Sequence, residues 1–385
     1  MKKNHLIILC TYIGVSFFLY LSFHLVWIPV MLGIIIILFL AFHILNKENR
    51  WIKIIKYIVI FLFIFIGAIC SRVLFFEIYS IPSSSMENTL MPGDVIIMNK
   101  ISYGPRLPTS PFEIPWINIF FYLNENARKK LKNPWWEPKR LQGLTSIKAN
   151  DIAMFYRYPD QKIPMIKRCV AIAGDTLVVN NAIINNIKQD EQVENILIPI
   201  ELKFSQNKNF HLLDSVKAYS SGFNNTQHGN TKTRISQRGY EKLQEYIKDD
   251  ILKISDPIPE YESWYMKGVN NSWGLHNFGP IIIPYVGFSI ELNDSTFALY
   301  AETIKEFEKI DLQKRDNYYF LNGIPTTSFI FKQNYYFFMG DNREDSHDSR
   351  YFGFVPESNV IGKASYVLFS KNQEGIQYRR ILKSL

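Results

Sequence analysis

Cysteine is scarce in this 385-residue chain: Cys10, Cys70 and Cys169 are all there is. The first two lie in apolar stretches near the N-terminus, which leaves one cysteine beyond residue 72 and excludes a disulfide there. No CxxC or metal-type spacing exists. Histidine is almost as sparse, with seven scattered residues that lack ligand spacing, so neither a metal nor another cofactor is expected. Charge of one sign is also missing from most of the chain. The net charge is +8, but residues 1–72 hold seven basic residues (Lys2, Lys3, Lys47, Arg50, Lys53, Lys56, Arg72) against Glu48 alone. The remainder carries only +2, too diffuse to mark a nucleic-acid surface. Solenoid-type repeats are absent; the Gly-Asp pairs at 93–94, 174–175 and 340–341 read as turns.

Aromatic residues, by contrast, are plentiful at 15%, including 22 Tyr and 29 Phe, which favours β-rich structure with large buried rings over disorder. Three long apolar runs open the chain, at about 6–23, 25–45 and 54–71. A helix crosses the hydrocarbon core with about 20 apolar residues, so the runs predict a membrane anchor over 1–76, with three transmembrane helices. A re-entrant pair followed by one crossing is the alternative. No small-x-small cleavage site follows the first run, which argues against a removed signal peptide. Lys2 and Lys3, and the cluster from Lys47 to Lys56, place those segments in the cytoplasm. Either arrangement then puts everything after residue 72 on the outer face.

Beyond the anchor the sequence predicts a mainly antiparallel β core with an inserted mixed α/β subdomain. Residues 77–186 form the first part of the core, interrupted by a Trp- and Pro-rich excursion at 104–150. Strand signals fall at 77–82, 95–98, 152–156 and 165–172, and Asn180-Asn181 marks a hairpin. Residues 187–315 are polar and Asn-rich, with helical patterns near 236–249 and 295–308, and read as the insertion. Residues 316–385 complete the core, with a hairpin at Asn322-Gly323 and strands at 335–339 and 364–369. Trp116, Phe120, Phe121, Trp135 and Trp136 concentrate in the excursion, and such rings favour a membrane interface, so the lipid bilayer is an expected partner.

Three segments carry chemistry. Ile81-Pro82-Ser83-Ser84-Ser85-Met86 follows the last apolar run. Met165-Ile166-Lys167-Arg168 lies on a strand signal, ahead of Gly174-Asp175. The third is Gly340-Asp341-Asn342-Arg343-Glu344-Asp345-Ser346-His347-Asp348-Ser349-Arg350. A serine hydroxyl needs a base to become a nucleophile. No local sequence ties His276 or His347 to the serines. A lysine can serve instead if burial lowers its pKa from about 10.4 toward neutrality. Strand alternation directs Lys167 to one face and its two neighbours to the other. Ser83, two residues before Ser85, is placed to offer an oxyanion donor.

These segments, together with Gly93-Asp94-Val95-Ile96 and the whole stretch from Gly340 to Pro356, resemble bacterial type I signal peptidase (leader peptidase) in content and order. The resemblance covers about 77–103, 150–186 and 333–370. It implies a membrane-bound serine endopeptidase of the inner membrane that removes signal peptides from exported preproteins after small-x-small sites, beside the export machinery. It implies Ser85 as nucleophile, Lys167 as general base, Ser83 as side-chain oxyanion donor and Ser346 as the hydroxyl orienting the lysine. Arg168, Asp341, Asp348 and Arg350 match structural charged residues, with Asp341 able to pair with Arg168. Tyr79, Ile81, Pro82, Met86, Leu90, Met154 and Ile166 match the substrate pocket. Departures are Ser84 at a common glycine, Asn88 at a common proline, and Ala171 and Ala173 in the turn after the lysine. Two other readings are a self-cleaving Ser/Lys repressor, disfavoured by the apolar runs, and a membrane-tethered binding protein with a degenerate peptidase core.

Overall fold

The structure, a computed structural model, describes residues 50–130, 135–157, 164–180, 183–184, 197–203, 220–225, 230–236, 252–253, 265–266, 268–372 and 375–385. The apolar runs expected at 6–23 and 25–45 and most of the helix expected near 236–249 lie outside these residues. The chain divides into two compact units: residues 1–77 with 99–146, and residues 78–98 with 147–385.

In the first unit one helix runs from Arg50 to Cys70 and continues as a wider turn, Ser71–Phe75. Ile58–Phe75 is the one segment among the described residues long and apolar enough to cross a membrane. The run expected at 54–71 lies within this helical segment, whose winding continues beyond it to Phe75. Phe61 and Ile64 stand exposed along it, as a lipid-facing surface requires. Its C-terminal end is tied down by charge: Glu77 pairs with Lys100 at 2.6 Å and Arg72 at 3.3 Å. The excursion folds around Phe112, whose buried ring meets Phe121, Tyr122 and Trp135 at centroid distances of 5.9, 5.1 and 6.3 Å.

In the second unit a mainly antiparallel sheet orders its strands β1 (Phe76–Ser80), β2 (Asp94–Asn99), Val360–Asn372, β3 (Ile152–Tyr156), β4 (Pro164–Ala171), Tyr335–Met339 and Val355–Pro356. Alternation shows in β2, where Asp94, Ile96 and Met98 are buried and the residues between them are not. β4 is covered on both edges, pairing Lys167 with Ala153 of β3 and Arg168 with Met339 of the neighbouring strand. The loop between β1 and β2 carries the serines, and the strand Tyr335–Met339 runs straight into Gly340. Sheet order therefore brings all three chemical segments to one end of β4.

Within residues 187–315, Leu197–Lys203, Asn230–Ser236, Ser220–Asn225 and Leu252–Lys253 form a separate four-stranded sheet. Leu197 also makes a parallel bridge to Asn342. The later part of residues 187–315 is built into the main core: Ile283, Leu299 and Ile304 cluster with Val170, Phe337 and Phe354. The helix Asp294–Thr303 starts in a reciprocal cap between Asn293 and Thr296, which satisfies its first N–H groups. Asn322 and Gly323 both take positive φ (49° and 81°), closing the hairpin between Tyr318–Leu321 and Ile324–Thr326.

Candidate active site

Lys167 Nζ donates to Ser85 Oγ at 2.6 Å. Both residues are nearly enclosed, at 4% and 8% exposure. Among the described residues Ser85 Oγ has one other hydrogen-bonding neighbour, Ser83 Oγ at 3.4 Å, and Ser83 lies at the surface. Among the described residues no histidine reaches it. His347 stacks on Tyr351 at 4.8 Å, and His276 is buried with both ring nitrogens unpartnered. Burial, then the Arg350 and Arg343 charges, hold His276 down at about 3.

Burial also lowers the Lys167 pKa, to about 8. The carboxylates of Asp348 and Asp341 pull it back up, and Arg350 pushes it down. Desolvation wins because water no longer stabilises the ammonium.

Two buried ion pairs frame the site. Arg168 grips Asp341 bidentately, Nε to Oδ1 at 2.7 Å and Nη2 to Oδ2 at 2.6 Å. Thr89 donates to the same carboxylate, and Arg168 Nη1 donates to Asn150 O at 2.9 Å. Arg350 grips Asp348 in the same way, at 2.8 and 2.9 Å, and reaches Arg343 O at 2.6 Å. Burial alone would raise the Asp348 pKa, but the Arg350 charge and hydrogen bonds, with Gly340 N–H, hold it below the ordinary value. Ser346 Oγ lies near enough to Asp348 to add to that lowering, yet is out of hydrogen-bond geometry with any partner. Gly340 separates Ser346 from the serine loop: a Cβ there would lie 2.2 Å from Ser346 Oγ and 2.5 Å from Ser85 O.

The expected pocket residues divide. Ile81, Met86, Leu90, Met154 and Ile166 belong to one apolar cluster with Ile96, and Tyr79 packs on its edge. Met86 and Leu90 are fully enclosed, whereas Pro82 is exposed. The sequence departures have local reasons. Asn88 sits at φ 81°, which a proline ring cannot adopt and asparagine tolerates. Ser84 Oγ donates to the Asp345 carboxylate, a tie that glycine could not make. The turn after Ala171 is closed by Asp175, which accepts from Ile172 N at 2.9 Å, so it needs no proline.

Sequence reasoning missed Asn342 and Thr89. Asn342 is fully buried and binds the serine loop through both backbone and side chain. Their only sequence signal is membership of the stretches that carry the resemblance; the Thr89–Asp341 and Asn342–Ser84 bonds join positions more than 250 residues apart.

Residues 51–281 and 287–369 match the family described as signal peptidase, peptidase S26. The chain is 28% identical to signal peptidase I of Buchnera aphidicola from Schizaphis graminum, over 80% of this chain and 75% of that one. It is 27% identical to the enzyme of Buchnera aphidicola from Acyrthosiphon pisum, over 88% and 84%. Signal peptidase I of Haemophilus influenzae is 24% identical over 80% and 67%. With one family matched through both halves of the sheet, and relatives of one activity aligned along most of the length, the chain belongs to the signal peptidase family, peptidase S26.

Proposed function

We propose that this signal peptidase cleaves preproteins with Ser85 as nucleophile and Lys167 as general base. The buried 2.6 Å contact between them carries the reading. The neutral amine takes the Ser85 proton as Oγ attacks the scissile carbonyl. The resulting oxyanion faces Ser83 Oγ and the Ser85 N–H. The lysine then returns the proton to the departing amine of the mature protein, and water, activated by the same amine, releases the signal peptide from its ester. The family resemblance alone assigns Ser346 the role of orienting the amine, since its Oγ bonds no group among the described residues, while Arg168–Asp341 and Asp348–Arg350 hold the segments in register. The open edge of the apolar cluster, between Tyr79, Ile81, Pro82, Met154 and Ile166, takes the small side chains before the cut, with Met86 and Leu90 as its floor.

Only the neutral lysine can act, so kcat/KM should rise about tenfold per pH unit below 8 and level off above, with a midpoint near the lowered value of about 8. Cleavage of a soluble signal-sequence peptide between pH 6 and 9.5 tests this. A midpoint near 6.5, as for an ordinary histidine, would point to a different base.

The described helix anchors the chain in the membrane. The apolar runs at 6–23 and 25–45 are further crossings on this reading, and the basic residues from Lys47 to Lys56 keep their side cytoplasmic. The catalytic unit then faces outward from the bacterial inner membrane, where exported preproteins emerge from the export machinery. Residues 187–315 form an insertion into the β core.

The excursion is proposed to rest on the outer leaflet. Its helix Ile117–Leu123 has no charged residue, and Phe120 and Leu123 are 72% and 76% exposed. Trp135 and Trp136 are half-exposed, but Trp135 also packs on Phe112 and Phe121, so they test the idea less cleanly. In proteoliposomes Phe120→Ser/Leu123→Ser should slow cleavage of a membrane-held preprotein several-fold and leave a soluble peptide unaffected. Equal rates on both substrates, relative to wild type, would remove the leaflet contact.

A further inference from the structure

The Ser84–Ser85 peptide is clamped from one side by Asn342. Asn342 Nδ2 donates to Ser84 O at 3.1 Å, and its backbone N–H donates to Ser85 O at 3.1 Å. Glu87 N also donates to Ser84 O, at 2.8 Å, so both lone pairs of that carbonyl are engaged. A trans peptide is planar, with its C=O and N–H pointing in opposite directions. Fixing Ser84 O therefore fixes where Ser85 N–H points. That N–H donates to no group among the described residues.

Asn342 is itself held from the insertion. Leu197 N donates to Asp341 O at 2.7 Å, and Arg343 N donates to Leu197 O at 3.4 Å, so one insertion residue brackets Asn342 on both sides. The Asn342 amide also reaches Glu87 Oε2 at 3.4 Å, and Glu87 is paired with Arg234 of the insertion strand Asn230–Ser236 at 3.5 Å. A continuous polar chain thus runs from Arg234 through Glu87 and Asn342 to the peptide whose N–H lies beside the nucleophile.

We propose that Asn342 is a positioning residue for the oxyanion-binding N–H of Ser85, and that the insertion supports it through Leu197 and Arg234. This gives the 187–315 segment a part in catalysis that needs no contact with substrate. It rests on the assignment of Ser85 as nucleophile. An oxyanion donor counts only when aimed at the charge that develops in the transition state, so loss of aim lowers kcat and leaves ground-state binding nearly unchanged.

The test uses the full chain in detergent with a signal-sequence peptide, comparing wild type, Asn342→Leu, Arg234→Ala and Ser85→Ala. Leucine keeps the size of asparagine and introduces no charge. Because Glu87 N still holds Ser84 O, Asn342→Leu should lower kcat by about tenfold, with KM and the pH midpoint unmoved. Arg234→Ala, at a partly exposed position, should lower kcat by about two- to threefold in the same way. Wild-type kcat in Asn342→Leu, a loss borne by KM, or a displaced pH midpoint would overturn the positioning role. Wild-type kcat in Arg234→Ala would overturn the part given to the insertion, and that variant decides the matter alone if Asn342→Leu does not fold. Ser85→Ala keeps the failures apart. If it still cleaves, the nucleophile assignment falls and this inference with it; if it is dead beside a fully active Asn342→Leu, only the inference falls.

Discussion

Lys167→Met should lower cleavage by about a thousandfold or more and, at pH 7, make the folded chain more stable. The two effects share one cause. In the unfolded chain the ammonium titrates near its ordinary value of 10.5, whereas in the folded site burial lowers it to about 8. Between those values the unfolded state binds more protons, so this group's contribution to stability rises with pH across that window. Below pH 8 the folded chain carries the full cost of a buried ammonium, about 3 kcal/mol for a shift of this size. Methionine fills similar space without charge and removes that cost. The unfolding midpoint of Lys167→Met should therefore exceed that of wild type at pH 7, with the gap closing toward pH 10. A variant that is both active and less stable would show that Lys167 is a structural cation.

Arg350→Met should act in the opposite sense. Arg350 and Asp348 are 1% and 0% exposed and bind each other bidentately, and Arg350 also ties down Arg343 O. Removing the guanidinium strands a buried carboxylate and a carbonyl. Breaking such a pair from one side costs about 3–5 kcal/mol. The unfolding midpoint should fall by about 10 °C. Asp348→Asn combined with Arg350→Met should recover part of the loss, because no unpaired charge remains. If the double variant is no more stable than Arg350→Met alone, the cost comes from lost packing and not from the stranded carboxylate.

The opposite outcomes expected of these two buried cations explain which parts of the site sequence alone could reveal. Lys167 stood out only through the resemblance its segment shares with the serine run and the Gly340–Pro356 stretch; strand alternation by itself fits a solvated lysine equally well. The strands around it were legible from alternation, as in β2, and from turn residues such as Asn322-Gly323. Their pairing was not, since Ala153 with Lys167 and Met339 with Arg168 join segments that no local pattern connects. The tie from Leu197 to Asn342 was hidden for the same reason: it links backbone to backbone across a polar insertion with no periodicity. The later insertion read as a separate subdomain because its surface is polar. Yet Ile283 and Leu299 are buried against core strands, a tertiary fact that composition averages away.

On the proposed mechanism Ser85, activated by Lys167, cuts the preprotein. The most direct test is incubation of a model preprotein bearing an Ala-x-Ala site with detergent-solubilised wild type and with Ser85→Ala, followed by mass analysis of the products. Cleavage after that site is expected from wild type and none from Ser85→Ala of equal stability. Cleavage at the same site by Ser85→Ala, or an intact preprotein with folded wild type, would contradict it.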